Sequence, residues 1–182
     1  MKVVKPLDSY KKNENDIICF LAGPCPSGNK WRNDVISFLE NIEKDKTLKL
    51  DNLVIVDPFR KDWPKDEAGL NEQVKWEVSM INDADIFAAY FGPSKDEKDT
   101  FPMTLMELGR AFSNFKMTFA NNKLNYRILT CAHPDYALFS QVKFEIEAIT
   151  EKWKTPITLE STNKNIITLA SKILESYIKI SK

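Results

Sequence analysis

The chain is poor in the residues that most often carry metal or redox chemistry, and it has no excess of charge. Its 182 residues include one histidine and three cysteines, and 26 basic residues balance 26 acidic ones. A formal net charge of zero gives no electrostatic basis for binding nucleic acid. The cysteines are scattered without zinc-ligand spacing, as is typical of proteins in a reducing compartment. We therefore expect a cytoplasmic protein with no metal site and no nucleic-acid partner.

Long hydrophobic runs are also missing. No apolar run is long enough to span a bilayer, and the first residues lack the apolar core of a signal peptide. The remaining composition, 43% hydrophobic and 29% charged, is ordinary for a globular protein. The length suits one domain with a substantial core. We expect one domain over residues 1–182, with residues 1–15 as a loose polar arm and no membrane association.

Short apolar runs alternate with helical patterns from residue 16 onward. The runs predicted as strands are residues 16–22, 53–56, 86–91 and 126–131, with 157–159 as a short fifth strand. Amphipathic helical spacing fills most of the intervals, whereas residues 138–153 fit either a strand or a helix. Such alternation is typical of a parallel sheet covered by helices on both faces. The sequence therefore predicts an α/β fold with about five parallel strands.

The stretch from residue 103 to 111 reads Met-Thr-Leu-Met-Glu-Leu-Gly-Arg-Ala and follows a buried strand and a polar loop. Its helical pattern predicts Glu107 in the first turn of a helix. In a parallel sheet this turn lies beside the carboxyl ends of the strands, where open α/β sheets bind ligands. The same residues fit a capping box, with Thr104 as the N-cap and Glu107 three residues on. Both a site role and a capping role for Glu107 fit the pattern.

Two further segments are expected near the same edge. Residues 23–30 contain Gly-Pro-Cys-Pro-Ser-Gly and run into a helix, whose backbone donors suit an anion or a polar ring edge. This loop matches neither a P-loop nor a GxGxxG motif, and taken alone a plain tight turn explains it better. The pattern around Arg32 is consistent with a solvated charge. Gln73 and Glu77 are four residues apart and share one helix face, which fits a site or a solvated surface equally.

The ordered set of these motifs resembles the nucleoside 2-deoxyribosyltransferase family. The resemblance covers residues 16 to about 135 and rests on Phe20-Leu-Ala-Gly-Pro24, Trp31-Arg32, Asp57-Pro58, Gln73-Val-Lys-Trp76-Glu77, Ala84-Asp85 and Met103-Thr-Leu-Met-Glu107-Leu-Gly109. Each motif alone has low specificity, and the ordered set is more specific. The resemblance implies a flavodoxin-like three-layer sandwich with residues 16–22 and 86–91 in the central strands. It also implies a site for a deoxynucleoside.

The resemblance further implies roles for individual residues. Glu107 corresponds to the family's nucleophile, and Glu77 to the acidic residue that handles the base. The family holds sugar hydroxyls with a carboxylate before the nucleophile helix. Asp99 is the nearest candidate, although its spacing from Glu107 departs from the family pattern. The expected substrate-binding set is completed by Gly23, Pro24, Gln73, Trp63 and Met103, and the aromatic residues available for a base pocket are Phe20, Phe59, Trp63 and Phe101.

These residues suit a two-step displacement at C1′. A carboxylate captures the oxocarbenium-like sugar as a covalent glycosyl-enzyme, and a new base or water then releases it with net retention. The dipole of the helix is expected to keep Glu107 ionised, and Glu77 is the candidate proton donor. This chemistry requires no metal or organic cofactor. The expected partners are a small-molecule deoxynucleoside and a free nucleobase.

The sequence also leaves two alternative functions open and predicts an oligomeric state. An N-glycoside hydrolase acting on a nucleotide or NAD is favoured if Arg32 and residues 27–29 cradle a phosphate. A non-catalytic nucleoside sensor is favoured if the Thr104 cap occupies Glu107. A homo-oligomer is implied by the family and by the surplus of apolar side chains in residues 111–119, since Met and Phe are enriched in interface cores. Packing of that segment under the loop at 120–125 is the alternative.

Overall fold

The computed structural model describes residues 1–25, 30–46, 48–94, 100–120, 126–153, 157–160 and 165–182. In this part of the chain six strands form one parallel sheet: β1 Lys2–Val4, β2 Ile17–Ala22, β3 Leu53–Val56, β4 Ile86–Phe91, β5 Arg127–Ala132 and β6 Ile157–Glu160. The five helices of the same residues are α1 Lys30–Lys44, α2 Glu67–Asp83, α3 Pro102–Ala120, α4 Phe139–Trp153 and α5 Asn165–Ile180.

The predicted α/β class and its flavodoxin-like layers are confirmed. The strand order is β1-β3-β2-β4-β5-β6, so the two runs expected in the centre do lie there. All six residues of β2 and all six of β4 are buried, which explains why their sequences are apolar throughout rather than alternating. Phe20 lies opposite Phe87 across the two strands, and their rings stack with centroids 6.0 Å apart. Phe20 is therefore a core residue and not part of an aromatic base pocket.

The expected loose arm is wrong in its first residues. Lys2–Val4 forms β1, which pairs in parallel with β3 and adds a sixth strand to the five that were predicted. The Val4 side chain is buried at 1% exposure. A strand of three residues carries too little pattern to be recognised, and the free edge of β3 is what makes it form.

Residues 138–153, whose sequence fitted either a strand or a helix, form helix α4 from Phe139 onward. In α4, Val142 and Ile146 are buried and lie four residues apart, as one helix face requires. Phe144, which suggested strand alternation, is exposed at 63%. The alternation of apolar residues was therefore coincidental.

The helices cover the sheet in two layers that build two hydrophobic clusters. Alternate residues of β2 point to opposite faces, so that Ile18 and Phe20 belong to one cluster and Cys19 and Leu21 to the other. Helices α2, α3 and α4 contribute to the first cluster, and α1 and α5 to the second. None of the described helices combines the length and the apolarity that crossing a membrane requires.

Candidate active site

Helix α3 begins earlier than the sequence suggested, and this changes the position of Glu107. Pro102 is its first residue, a favourable position because proline has no backbone N–H to leave unsatisfied. Glu107 is the sixth residue and lies in the second turn, whereas the first turn holds no acidic residue. Thr104 is buried at 3% exposure inside the helix. The prediction of a Thr104–Glu107 capping box is therefore wrong.

The electrostatic surroundings of Glu107 also differ from the expectation. The pKa of Glu107 is raised to about 8, first by burial and then by the negative charge of Glu77, against the opposing charge of Arg32. A helix dipole acts mainly within the first turn, and Glu107 lies beyond it. The prediction that the dipole keeps this carboxyl group ionised is therefore wrong for the free protein. The pKa effects also show that three helices bring Glu107, Glu77 and Arg32 within electrostatic reach of one another.

Gln73 and Glu77 face the protein interior rather than solvent. Helix α2 begins after Asp66, whose side chain caps it by accepting from the Gly69 N–H at 2.7 Å. Gln73 and Glu77 are exposed at only 1% and 9%. The Gln73 amide Nε2 donates to Glu77 Oε1 at 2.8 Å. Burial raises the pKa of Glu77, although this hydrogen bond and the charge of Arg32 lower it. The solvated-surface interpretation of this helix face is wrong.

Arg32 is a buried structural cation and not a solvated charge. Its side chain is 1% exposed, and its guanidinium donates to the carbonyls of Gly23 at 2.7 Å and Pro24 at 3.0 Å. Its Nε lies 3.5 Å from Oδ1 of Asp57, which is itself fully buried. Asp57 also pairs with the Lys5 ammonium. Arg32 thus ties the loop after β2 to the end of β3, a role that its sequence pattern did not reveal.

Gly23 and Pro24 lie at the carboxyl end of β2, where the site was expected. A Cβ on Gly23 would lie 2.6 Å from Cζ2 of Trp31 and 2.9 Å from the carbonyl oxygen of Tyr90. Only glycine fits this close packing. Pro24 accepts a hydrogen bond from the Trp31 indole N–H at 3.2 Å as well as from Arg32. The backbone of this loop is therefore fixed from two sides.

The thiol of Cys25 lies in the same electrostatic neighbourhood. Burial raises its pKa; Arg32 lowers it, and the charges of Glu107 and Glu77 raise it. A reactive cysteine needs a lowered pKa. The surroundings of Cys25 therefore do not favour a nucleophilic thiol.

The turn after β5 contacts and stabilises the start of α3. The sequence did not predict this contact. The Tyr136 hydroxyl donates to the Thr100 carbonyl at 2.6 Å, and the Tyr136 ring stacks on Phe101 with centroids 5.6 Å apart. Phe101 has a φ of 50°, a value that is uncommon outside glycine and that needs support from its surroundings. The turn is itself stabilised by His133, whose Nδ1 accepts from the Asp135 N–H at 3.1 Å. His133 therefore has a structural role in this turn.

The other predicted site residues are not brought to the two carboxyl groups by any described contact. Trp63 and Met103 are exposed at 46% and 50%. Asp99 lies outside the described residues, as do residues 27–29 of the expected phosphate cradle. Beside Pro24 there is a cavity of about 340 Å³ that is lined by Phe101, Trp31 and Tyr90 among others. The described residues contain no group of three or more His, Cys, Asp or Glu side chains placed to hold a metal ion.

Comparison with known proteins agrees with the motif order. The family model described as nucleoside 2-deoxyribosyltransferase-like matches residues 16–122, which is more than half of the chain. The matched part includes Gly23, Arg32, Glu77 and Glu107, and it ends before Tyr136. No curated protein matches the sequence.

Proposed function

The chain belongs to the nucleoside 2-deoxyribosyltransferase-like family, and we propose that it cleaves the N-glycosidic bond of 2′-deoxynucleosides through a covalent deoxyribosyl-Glu107 intermediate. The sugar then passes to another base or to water. The observation that carries the proposal is that α2 and α3 bring Glu77, which is buried, and Glu107, which is half-buried, close enough for the charge of Glu77 to raise the pKa of Glu107. Two such carboxyl groups supply both parts of a glycosidase-type displacement, a nucleophile and a proton donor.

The first step requires the two carboxyl groups to differ in protonation. The Glu107 oxygen forms a bond to C1′ while the C1′–N bond breaks, and the Glu77 proton moves to the departing base. The negative charge of Glu77 raises the pKa of Glu107. Placing the pair's single proton on Glu77 therefore lets Glu107 ionise more readily, because the repulsion between the two groups disappears. The positive charge of Arg32 lowers the pKa of both groups and supports the singly protonated pair.

The second step reverses the first with a new acceptor. A base nitrogen or a water oxygen attacks C1′, and Glu107 departs as a carboxylate. The proton lost by the acceptor returns to Glu77. Two inversions at C1′ give net retention. The balance between transfer and hydrolysis depends on which acceptor occupies the site.

The test uses a panel of 2′-deoxynucleosides and free bases, with products separated by chromatography. We expect base exchange or base release from the wild-type protein and a loss of essentially all turnover in Glu107→Ala. The control is Glu72→Ala, at an exposed position of α2, which should keep full turnover. A 2′-fluoro-arabino nucleoside, whose deglycosylation is slow, should add one sugar mass to a peptide that contains Glu107. An active, unlabelled Glu107→Ala protein would refute the assignment.

The described residues do not supply the features that would favour the two alternative functions. The hypothesis of a nucleotide or NAD hydrolase needs Arg32 to bind a phosphate, but its guanidinium already contacts two backbone carbonyls and Asp57. The hypothesis of a non-catalytic sensor needs Glu107 to form a capping box with Thr104. Thr104 is not the N-cap, because it lies inside the helix. No observation on the described residues favours either alternative over the deoxyribosyl transfer.

A further inference from the structure

Gln73 holds one of the two oxygens of the Glu77 carboxyl group. Its amide Nε2 donates to Glu77 Oε1 at 2.8 Å and to the Pro58 carbonyl at 3.3 Å. A backbone carbonyl only accepts hydrogen bonds, so the nitrogen end of the amide must face Pro58, and this contact fixes the orientation of the amide. The Gln73 side chain is buried at 1% exposure. It therefore ties Glu77, in the middle of α2, to the segment that follows β3.

The second oxygen of Glu77 has a different environment. Oε2 makes no hydrogen bond to any described residue, yet it is not one of the buried polar atoms that are closed to solvent. A molecule that enters the site can therefore reach Glu77 through Oε2, whereas Oε1 is already engaged by Gln73. The two oxygens of this carboxyl group are thus not equivalent.

We propose that Gln73 is a positioning residue for the proton transfer: by holding Oε1 of Glu77 as an acceptor, it places the transferable proton on Oε2. A protonated carboxyl group has one O–H donor, and its other oxygen remains an acceptor. The donation from Gln73 stabilises the form in which Oε1 is that acceptor. The inference rests on the proposed function, in which Glu77 protonates the departing base. It assigns Gln73 to positioning the acid and not to contacting the substrate.

Gln73 also affects how readily Glu77 gives up its proton. Burial raises the pKa of Glu77 and is the largest effect, whereas the hydrogen bond from Gln73 and the charge of Arg32 lower this pKa. Glu77 therefore retains a proton to a higher pH than an ordinary glutamic acid does. The hydrogen bond limits the rise and so keeps the protonated group a stronger acid. Proton transfer is most effective when the pKa of the acid lies near the operating pH.

A double-mutant cycle separates positioning from a general structural role. On the deoxynucleoside that the wild-type protein turns over fastest, Gln73→Met should lower kcat about 10- to 100-fold with KM nearly unchanged, because a misplaced catalytic group loses much of its effect. In the Glu77→Gln background the same substitution should change kcat by about twofold or less, because the acid that Gln73 positions is already absent. Equal losses in the two backgrounds would overturn the inference and leave the proposed function standing.

The pH dependence of kcat is a second readout, which a mere loss of packing would not move. Gln73→Met removes a contribution that lowers the pKa of Glu77. The alkaline limb of the profile, where the acid has lost its proton, should therefore move to higher pH. The other titratable groups near Glu77 among the described residues are Arg32, Glu107 and Cys25, and the variant keeps all three. An unmoved limb would show that the amide does not act on the proton, and would also overturn the inference.

Two further variants serve as controls. Glu72→Gln changes the adjacent exposed position of α2 and should keep the wild-type kcat and pH profile. Gln73→Asn has an amide that is one methylene too short to reach both the Pro58 carbonyl and Glu77, so it should behave as Gln73→Met does. It replaces that variant in the cycle if Gln73→Met does not fold. A wild-type protein that turns over no deoxynucleoside would overturn the proposed function together with this inference.

Discussion

Glu107→Gln keeps the size of the side chain and removes its titration, and it should alter the pH dependence of stability in a direction that a helix dipole cannot produce. The pKa of Glu107 in the folded protein is about 8, against an ordinary value of 4.5. Between these pH values the folded chain therefore binds the proton more tightly than the unfolded chain does. The resulting stability is fully present below pH 4.5 and is lost as the pH rises toward 8.

The magnitude follows from the range of pH that is crossed. Each pKa unit corresponds to about 1.4 kcal/mol. Between about pH 5 and pH 7, the wild-type protein should lose roughly 2 to 3 kcal/mol of unfolding free energy through this group, and Glu107→Gln should not. A carboxylate held ionised by a helix dipole would instead add roughly 0.3 to 1 kcal/mol as the pH rises. The two explanations thus predict opposite signs.

Urea denaturation of the wild type and Glu107→Gln at several pH values between 5 and 7 measures this difference directly. Subtracting the two free energies removes the titration of the groups that do not interact with Glu107. Glu77, whose charge acts on Glu107, is the exception. Glu72→Gln neutralises an exposed carboxylate of α2 and controls for general effects of charge. Parallel curves for the wild type and Glu107→Gln would refute the burial argument and would fit the dipole, whose contribution is complete once the pH exceeds the ordinary pKa of 4.5.

Four further predictions follow from the same contacts. Glu77→Gln keeps the size of the side chain but has no acidic proton to transfer to the base, so kcat should fall more than KM rises. A full rate at every pH would show that Glu77 does not act on the base. Arg32→Met removes the guanidinium that faces the fully buried Asp57 carboxylate, so the unfolding free energy should fall by about 3 kcal/mol. A loss below about 1 kcal/mol would contradict a buried ion pair. Tyr136→Phe removes the hydrogen bond to the Thr100 carbonyl and should reduce the unfolding free energy by about 1 kcal/mol. It should also lower kcat with KM nearly unchanged. An unchanged kcat would show that this hydrogen bond contributes to stability and not to catalysis. We also propose at least a dimer, because Met117 on α3 is 64% exposed; light scattering at micromolar concentration should exceed the 21.0 kDa of one chain, and a fully active monomer would exclude a shared site.

The sequence predicted most of the sheet correctly because its strands are buried on both faces. The β2 and β4 runs contain only apolar residues, a pattern that is set by the fold's layers and is visible without knowing any contact. β1 was missed for the opposite reason. Its three residues have no pattern of their own, and pairing with the edge of β3 is a tertiary contact. The helix in residues 139–153 was ambiguous until its packing showed which apolar residues face the sheet.

The order of the motifs, through its resemblance to a known family, predicted Glu107 and Glu77 as the carboxyl groups of a site at the carboxyl edge of the sheet. Their chemical state, however, is decided by tertiary structure. Burial depends on what the rest of the chain packs around a side chain, and it raises the pKa of Glu107 where a local dipole argument predicted an ionised group. The environment of Arg32 is also decided by tertiary structure, because the sequence pattern of a charged residue early in a helix is typical of a solvated side chain. Only the folded chain shows the carbonyls of Gly23 and Pro24 and the carboxylate of Asp57 that surround its guanidinium.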